Sequence, residues 1–425
     1  MSVNPIKIQV PGSKSITNRV LLLASLSDKP IEIKNIGLCD DTKYMIEGLK
    51  KIRSANPSTT NNPTTSKNST NKPIKIFTAN AGTATRFLTA LATLQEKTII
   101  IDGDKRMRER PISELTNALN TLGAKITSKN GVLPITIHPK KLQGGKLLKI
   151  KGNISSQYLS ALLMTTPFAT KNTTIKIEQK LCSTPYVKMT LSLLTQFGIK
   201  IVNKNFKQFI IQGNQKIRPP KTITIESDAS SASYIGAYSA LQPATPVFLE
   251  GITKNSIQGD IKFLDYLKKM GCKITFQKTG TLIKGVKTLK SLGVIDMNET
   301  PDLVMTFAIL AIFTKGITKI TNIKNLKIKE TDRLQALKNE ISKLGIKVKT
   351  SKNFIEIHGN PALLSQLKES SSPTSIETYN DHRIAMSFAI AQDLLPFIKI
   401  KNRNCVSKSY TRFWNDLKKI QNHGK

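Results

Sequence analysis

The sequence predicts an α/β fold built from repeated strand and helix units. Two observations predict it. The pattern apolar–Gly–apolar or Cys–Lys–Ile or Val occurs four times: Leu122-Gly123-Ala124-Lys125-Ile126, Phe197-Gly198-Ile199-Lys200-Ile201, Met270-Gly271-Cys272-Lys273-Ile274 and Leu344-Gly345-Ile346-Lys347-Val348. The glycines are 75, 73 and 74 residues apart, a regular internal repeat. Each copy follows an amphipathic stretch and precedes β-branched alternation, which reads as helix, glycine cap, strand. The second observation is a set of six helix-like runs, each led by a small or polar loop. Degenerate copies of the first pattern, Leu49-Lys50-Lys51-Ile52 and Leu417-Lys418-Lys419-Ile420, also bring its count to six.

In chain order the six loops are Pro11-Gly12-Ser13-Lys14-Ser15, Asn80-Ala81-Gly82-Thr83, Asn153-Ile154-Ser155-Ser156-Gln157, Ser227-Asp228-Ala229-Ser230-Ser231, Glu299-Thr300-Pro301-Asp302 and Tyr379-Asn380-Asp381-His382-Arg383. Their Ser, Thr, Asp and Asn residues suit helix N-caps, and Pro301 suits a first turn. Strongly apolar helices follow, as in Leu303–Phe313 and Ile384–Ala391. Strands are expected at Ile74–Thr78, Thr98–Ile101, Thr173–Ile177, Thr222–Ile225, Gly316–Thr321 and Phe354–Ile357. Residues 54–73 are polar and Pro-punctuated, without large apolar side chains, and are expected to be a disordered insertion in the first repeat.

At 425 residues the chain exceeds one compact core, so two or three domains are expected. Lys and Arg number 65 against 28 Asp and Glu, a net charge of +37. Such an excess raises nucleic acid as a partner. The lysines, however, are scattered over the whole chain without an arginine-rich tract, and 6% aromatic content offers no base-stacking platform. No nucleic acid partner is expected; the field would draw in small anions. The four cysteines lie far apart with no CxxC pair, and no histidine pair has metal-ligand spacing, so neither zinc nor a disulfide framework is expected. The first residues lack a signal-peptide layout and the longest apolar run is too short for a bilayer, so the expected location is the cytoplasm, with no membrane partner.

A helix N-terminus presents unpaired N–H groups and positive dipole. If the repeats pack symmetrically, their helix starts face common ground. The loops there hold Lys14 and Arg19, Arg86, Arg106 with Arg110, Ser155-Ser156-Gln157, Asp302, Lys329-Glu330 with Arg333, His382-Arg383, and Lys408. That set suits a substrate bearing phosphate and carboxylate, handled by acid/base chemistry. Singly, each has a plainer reading. Gly12-Ser13-Lys14-Ser15 ends like a Walker loop, but that motif's first glycine is missing. Arg86 could snorkel, Ser155 and Ser156 could be N-caps, and by spacing alone Asp302 reads first as a capping acid.

The segments PGSKSITNR (11–19), NAGTATR (80–86), GDKRMRERP (103–111), SSQYLSALLM (155–164), STPY (183–186), DASSASY (228–234), PDL (301–303), NLKIKETDR (325–333), YNDHRIAM (379–386) and VSK (406–408) together resemble the 5-enolpyruvylshikimate-3-phosphate synthase family. The resemblance implies two similar domains, each of three βαβαββ repeats about a pseudo-threefold axis. One would comprise residues 1–12 with 226–425, the other 13–225, and the N-terminal strand would follow the last repeat. It implies transfer of the enolpyruvyl group of phosphoenolpyruvate to the 5-hydroxyl of shikimate 3-phosphate, with phosphate released, no cofactor, no metal and a monomeric enzyme.

By the same resemblance Lys14, Ser15, Arg19, Ser155, Ser156, Ser183, Asp302, Asn325 and Lys329 would hold shikimate 3-phosphate. Lys14, Gly82, Arg106, Gln157, Arg333, Arg383 and Lys408 would hold phosphoenolpyruvate. Asp302 would accept the hydroxyl proton, and Glu330, or Lys14 in its place, would serve the methylene carbon. Asn80, Arg86, Tyr186 and His382 would support them. The resemblance gives Asp332 no part, and its place in the segment suits orienting Arg333 or the local backbone. The sequence departs from common forms of the family at Thr85 and Phe87. The sister transferase acting on UDP-N-acetylglucosamine places a catalytic cysteine where Lys105 stands here. A basic RNA-binding protein of related fold is the rival of a different class.

Overall fold

The computed structural model describes residues 4–54, 72–370 and 372–423. It divides into two compact units. The first comprises Met1–Ser13, Gly37–Cys39 and Glu226–Lys425; the second, Lys14–Ile36 and Asp40–Ile225. The expected insertion at 54–73 lies outside the described residues, apart from Ser54, Lys72 and Pro73.

The chain opens with β1 (Ile6–Gln9) in the first unit. It then builds the second unit from α1 (Lys14–Ser25), β2 (Glu32–Lys34), α2 (Asp40–Ser54), β3 (Ile74–Phe77), α3 (Gly82–Ala92), β4 (Ile99–Asp102), α4 (Lys105–Glu109), α5 (Ser113–Thr121), β5 (Lys125–Ser128) and β6 (Ile135–His138). That unit continues with β7 (Leu147–Lys151), α6 (Ser156–Thr165), β8 (Thr173–Glu178), α7 (Thr184–Gln196), β9 (Ile201–Lys204), β10 (Gln208–Ile211) and β11 (Thr222–Thr224). The first unit resumes with α8 (Ala229–Leu241), β12 (Val247–Glu250), α9 (Phe263–Lys269), β13 (Lys273–Gln277), β14 (Gly280–Lys284), β15 (Val294–Asp296), α10 (Val304–Ile312) and β16 (Gly316–Thr321). It ends with α11 (Arg333–Ser342), β17 (Val348–Thr350), β18 (Phe354–Gly359), α12 (Pro361–Ser370), β19 (Thr374–Ile376), α13 (His382–Ala389), β20 (Ile398–Ile400) and α14 (Phe413–His423).

Four repeats each make a four-stranded sheet of one order: β3-β4-β6-β5 and β7-β8-β10-β9 in the second unit, β1-β12-β14-β13 and β15-β16-β18-β17 in the first. In each, two parallel strands are followed by an antiparallel hairpin. The third repeat of each unit is shorter among the described residues, reduced to the parallel pairs β11-β2 and β19-β20.

The glycine motif marks the helix exits. After α5, Gly123 (φ +99°) donates to the Asn120 carbonyl and Ala124 donates to the Leu119 carbonyl. These two bonds cap the last turn, and they need a left-handed residue at the glycine. The same pair of bonds closes α7 through Gly198 and Ile199, and α9 through Gly271 and Cys272. The degenerate copies behave differently. Leu49–Ile52 lies within α2 and Leu417–Ile420 within α14, where Ile52, Leu417 and Ile420 are buried helix-face positions, so neither is an exit turn.

The N-terminal strand closes the first unit's leading sheet. It pairs in parallel with β12, with Ile6 opposite Val247. Ser13 N–H donates to the Glu226 carbonyl and Asp228 N–H to the Pro11 carbonyl. The outgoing and returning chains therefore meet at Gly12 and Ser227, and α8 serves as the crossover a parallel pair requires. The last helix, α14, lies along β1, with Lys419 Nζ 3.1 Å from the Lys7 carbonyl, as Lys51 Nζ of α2 lies 3.0 Å from the Lys75 carbonyl of β3.

Each unit is cored by helices buried on every side. In the first these are α8, α10 and α13; in the second, α3 and all of α6 but Gln157. A helix without a polar face belongs inside an assembly of others. Their N-terminal loops are therefore fixed by the packing of each unit's centre.

Gly271→Ala adds a Cβ that meets only Val286, at an ordinary 3.5 Å, at a φ of +107°. It should cost about 1–2 kcal/mol from the left-handed backbone alone. At Gly198 the added Cβ would stand 2.8 Å from Arg218 Cβ, so Gly198→Ala should lower the chemical denaturation midpoint further. Equal losses would remove the packing part of this account.

Candidate active site

In the second unit, cations and hydroxyls gather at helix starts. Lys14 begins α1, and its Nζ lies 2.9 Å from Asp41 Oδ2 on α2. Arg19, a turn later, is fully buried and donates from all three nitrogens: Nε to Thr190 Oγ1 (2.8 Å), Nη1 to the Ser15 carbonyl (2.8 Å) and Nη2 to Ser160 Oγ (3.2 Å). It also lies over the Phe87 ring at 5.2 Å. Burial lowers the Arg19 pKa to about 10, against the opposing effect of Tyr186, so the guanidinium stays charged at neutral pH. Its acceptors are neutral oxygens, which orient the charge without cancelling it.

Arg86 Nη1 donates to Gln157 Oε1 at 3.0 Å, and Gln157 Nε2 donates to Thr83 Oγ1 at 3.1 Å. Arg86 Nε is buried without a hydrogen-bond partner among the described residues. Arg110 Nη1 donates to Asn80 Oδ1 at 3.0 Å. Gly82 sits between these guanidiniums: a Cβ there would stand 2.4 Å from Arg86 Nη1 and 2.8 Å from Arg110 Nη2. Arg106 is on α4, about a third exposed, and pairs with Glu109 at 2.8 Å. Ser155 caps α6 by accepting from Gln157 N–H, and Ser156 is buried in the first turn. Ser183 precedes α7 with a left-handed backbone (φ +55°), and the Tyr186 carbonyl accepts from Arg19.

The first unit builds a denser cluster. Arg333, the first residue of α11, is 1% exposed and bonded to three carboxylates. Nε donates to Asp381 Oδ2 (2.7 Å), Nη1 to Asp302 Oδ1 (3.1 Å) and Nη2 to Glu330 Oε2 (2.8 Å). Arg383 Nη2 donates to Asp302 Oδ2 at 2.7 Å, and its Nη1 to the Tyr234 hydroxyl at 3.2 Å. Asp302 therefore bridges two guanidiniums. Burial pushes its pKa up, but Arg383, Lys329 and Arg333 together overcome this and hold it well below the usual carboxylate range. Burial likewise acts against the charge on Arg333, and Asp381, Glu330 and Asp302 outweigh it, raising its pKa.

Asp302 is not a cap, since Thr300 takes that position in the turn Pro301–Leu303 and its side chain makes no cap bond. Asp332 is one: Oδ1 accepts from the N–H groups of Leu334 and Gln335, which orients the helix that begins with Arg333. Asn325 is buried in the turn Lys324–Ile328, and its Oδ1 has no hydrogen-bond partner among the described residues. A buried orphan acceptor is costly unless a ligand supplies a donor. His382 is buried with Nδ1 3.6 Å from Asp381 Oδ1, and Lys408 is half-buried at the end of the turn Arg403–Lys408.

Sequence reasoning left Asp41, Asp381, Tyr234 and Asp260 without roles. Asp381 and Tyr234 sit inside quoted motifs, beside residues that were assigned. Asp41 follows Asp40 in an acidic first turn of α2, and Asp260 is a single acid in a short turn; neither lies in a quoted motif.

Buried guanidiniums, a paired lysine and ionised carboxylates suit an enzyme that grips small anions and moves protons between them. The family model for EPSP synthase (3-phosphoshikimate 1-carboxyvinyltransferase) matches residues 5–417. The chain is 42% identical to the 3-phosphoshikimate 1-carboxyvinyltransferase of Buchnera aphidicola subsp. Baizongia pistaciae, over 99% of this chain and 98% of that protein. It is 39% identical to that of Marinomonas sp., over 98% and 97%. Among solved structures, EPSP synthase from Acinetobacter baumannii superposes with a TM-score of 0.74 at 21% identity, over 99% of this chain and 96% of that one, a likeness of fold. The chain belongs to the EPSP synthase (3-phosphoshikimate 1-carboxyvinyltransferase) family.

Asp381→Asn keeps the cap acceptor for Arg383 N–H but removes one charge from buried Arg333. Breaking a buried pair costs about 3–5 kcal/mol. With two carboxylates remaining, the loss should fall near the lower end, read by chemical denaturation. A change within about 0.5 kcal/mol, as for an ordinary surface position, would show that Asp381 is not needed to neutralise Arg333.

Proposed function

We propose that this chain transfers the enolpyruvyl group of phosphoenolpyruvate to the 5-hydroxyl of shikimate 3-phosphate and releases phosphate, a step of the shikimate pathway. The reading is supported by the family and by the bridge that Asp302 makes between Arg333 and Arg383 in the first unit.

The residues take the following parts. On the second unit Lys14, Ser15, Arg19, Ser155, Ser156 and Ser183 contact shikimate 3-phosphate, and Lys14, Gly82, Arg106 and Gln157 contact phosphoenolpyruvate. Asn80, Arg86 and Tyr186 hold these groups in place. On the first unit Asn325 and Lys329 take shikimate 3-phosphate, and Arg333, Arg383 and Lys408 take the phosphoenolpyruvate anion, with His382 in support.

The chemistry is addition followed by elimination. The 5-hydroxyl oxygen bonds to C2 of phosphoenolpyruvate as Asp302 takes its proton, and C3 gains a proton from Glu330 or Lys14. The tetrahedral intermediate then expels phosphate as C3 returns a proton, restoring the double bond. At rest both Asp302 oxygens are engaged by guanidiniums, which makes the carboxylate a weak base. An anion drawing on Arg333 and Arg383 loosens that hold and raises the basicity of Asp302. Binding of one substrate thereby readies the base for the other. The charges of the intermediate meet fixed cations already in position.

Phosphate release should require both small substrates. Asp302→Asn should lower kcat by about 10²–10⁴-fold, the usual contribution of a positioned acid or base, with a much smaller change in KM for shikimate 3-phosphate. A loss confined to KM would return Asp302 to a purely binding role, and no phosphate release from folded protein would overturn the proposed reaction.

A further inference from the structure

We infer that Thr190 and Ser160 are positioning residues for Arg19 and, through it, for shikimate 3-phosphate. This rests on the proposed role of Arg19. Thr190 lies in α7 and Ser160 in α6, and both are fully buried. Thr190 Oγ1 accepts from Arg19 Nε at 2.8 Å, and Ser160 Oγ accepts from Arg19 Nη2 at 3.2 Å. A threonine inside a helix is ordinarily satisfied by the carbonyl four residues back. Here the one hydroxyl proton of Thr190 goes to the Tyr186 carbonyl or to Ser160 Oγ, 2.9 Å from each. Either way its lone pairs stay open to a donor. Arg19 Nε, 171 positions away in the sequence, fills that place.

The rigid shape of the guanidinium explains why the pair matters. Its N–H donors lie in one plane, two of them on Nη1. Nη1 donates once to the Ser15 carbonyl at 2.8 Å, and Nη2 faces the Tyr186 carbonyl at 3.3 Å as well as Ser160. Nη1 thus keeps one N–H beyond its bond to Ser15. The Phe87 ring of α3 covers the guanidinium at 5.2 Å. Because the donors are joined, holding Nε from α7 and Nη2 from α6 sets where the remaining N–H points. It also sets where the Ser15 carbonyl stands at the start of α1. A carboxylate in place of Thr190 would hold the fork as firmly but offset the charge that draws an anion. Without the Thr190 hydroxyl, the buried Nε–H loses its acceptor, and the guanidinium turns toward the partners that remain.

The test is steady-state kinetics on the full chain, with each substrate varied in turn. The enzymes are the parent, Thr190→Val, Thr190→Ser, Ser160→Ala, Arg19→Lys and the double variant Arg19→Lys with Thr190→Val. Valine keeps the shape of threonine without its hydroxyl, whereas serine keeps the hydroxyl and leaves a methyl-sized gap. Thr190→Val should raise KM for shikimate 3-phosphate about tenfold, the usual effect of losing a hydrogen bond to a charged group. Its kcat and its KM for phosphoenolpyruvate should stay within about twofold of the parent, the pattern of a lost binding contact. Thr190→Ser should keep the parental KM even where its denaturation midpoint falls. Ser160→Ala should raise the same KM less, because Nη2 retains the Tyr186 carbonyl. Added to Arg19→Lys, Thr190→Val should change KM little, as for residues that act as one. A parental KM in folded Thr190→Val and Ser160→Ala, or KM values that follow stability rather than the hydroxyl, would overturn the inference and leave the reaction intact. Ser160→Ala and Thr190→Ser keep it falsifiable if Thr190→Val does not fold. An unchanged KM in Arg19→Lys would instead remove the underlying assignment of Arg19.

Discussion

A buried guanidinium shared among three carboxylates organises the first unit. Arg333 joins Asp302, Glu330 and Asp381, which stand before α10, before α11 and before α13. Three chain segments must therefore arrive together for any of these charges to be tolerated inside the protein. Such a cluster is a poor source of net stability, because desolvation consumes most of the attraction. What it supplies is geometry. Asp302 is held at both oxygens, and Arg383 is held between Asp302 and Tyr234.

The second unit handles charge in the opposite way. Arg19 is as deeply buried as Arg333, yet its partners are hydroxyls and carbonyls. Hydroxyl and carbonyl partners satisfy hydrogen bonds while leaving the positive charge in place. Buried positive charge is therefore kept in two ways, uncancelled at Arg19 and paired with carboxylates at Arg333. Backbone strain is stored at the same loops. Ala79, Ser183, Tyr379 and Asn380 adopt left-handed conformations just ahead of α3, α7 and α13, an arrangement that costs about 1–3 kcal/mol each and persists only where packing enforces it.

The repeat was legible in the sequence because a helix exit needs a left-handed residue, and glycine tolerates it best. Gly123, Gly198, Gly271 and Gly345 all have positive φ. Where the motif lacks glycine, at Leu49 and Leu417, the resemblance was only the i,i+3 spacing of a helix face. The pairing of β1 with β12 was not legible, because parallel pairing joins residues with no local relation in sequence. Motif residues such as Arg333 and Asp302 were legible as a group, but their mutual geometry was not. Asp41 and Asp260 escaped altogether: an acid outside any motif looks the same on a surface as it does beneath a lysine or against a buried serine.

The handover at Gly12 and Ser227 has a consequence for biosynthesis. β1 leaves the ribosome long before its partner β12, which begins at Val247. Every element of the second unit emerges in between, and β2 in turn waits for β11 at Thr222. Domains fold as units while the chain is being made. The leading strand must therefore stay unpaired through translation of a whole neighbouring unit. Four residues with a charged lysine on the outward face, Ile6-Lys7-Ile8-Gln9, form an edge short enough and polar enough to wait without recruiting the wrong neighbour.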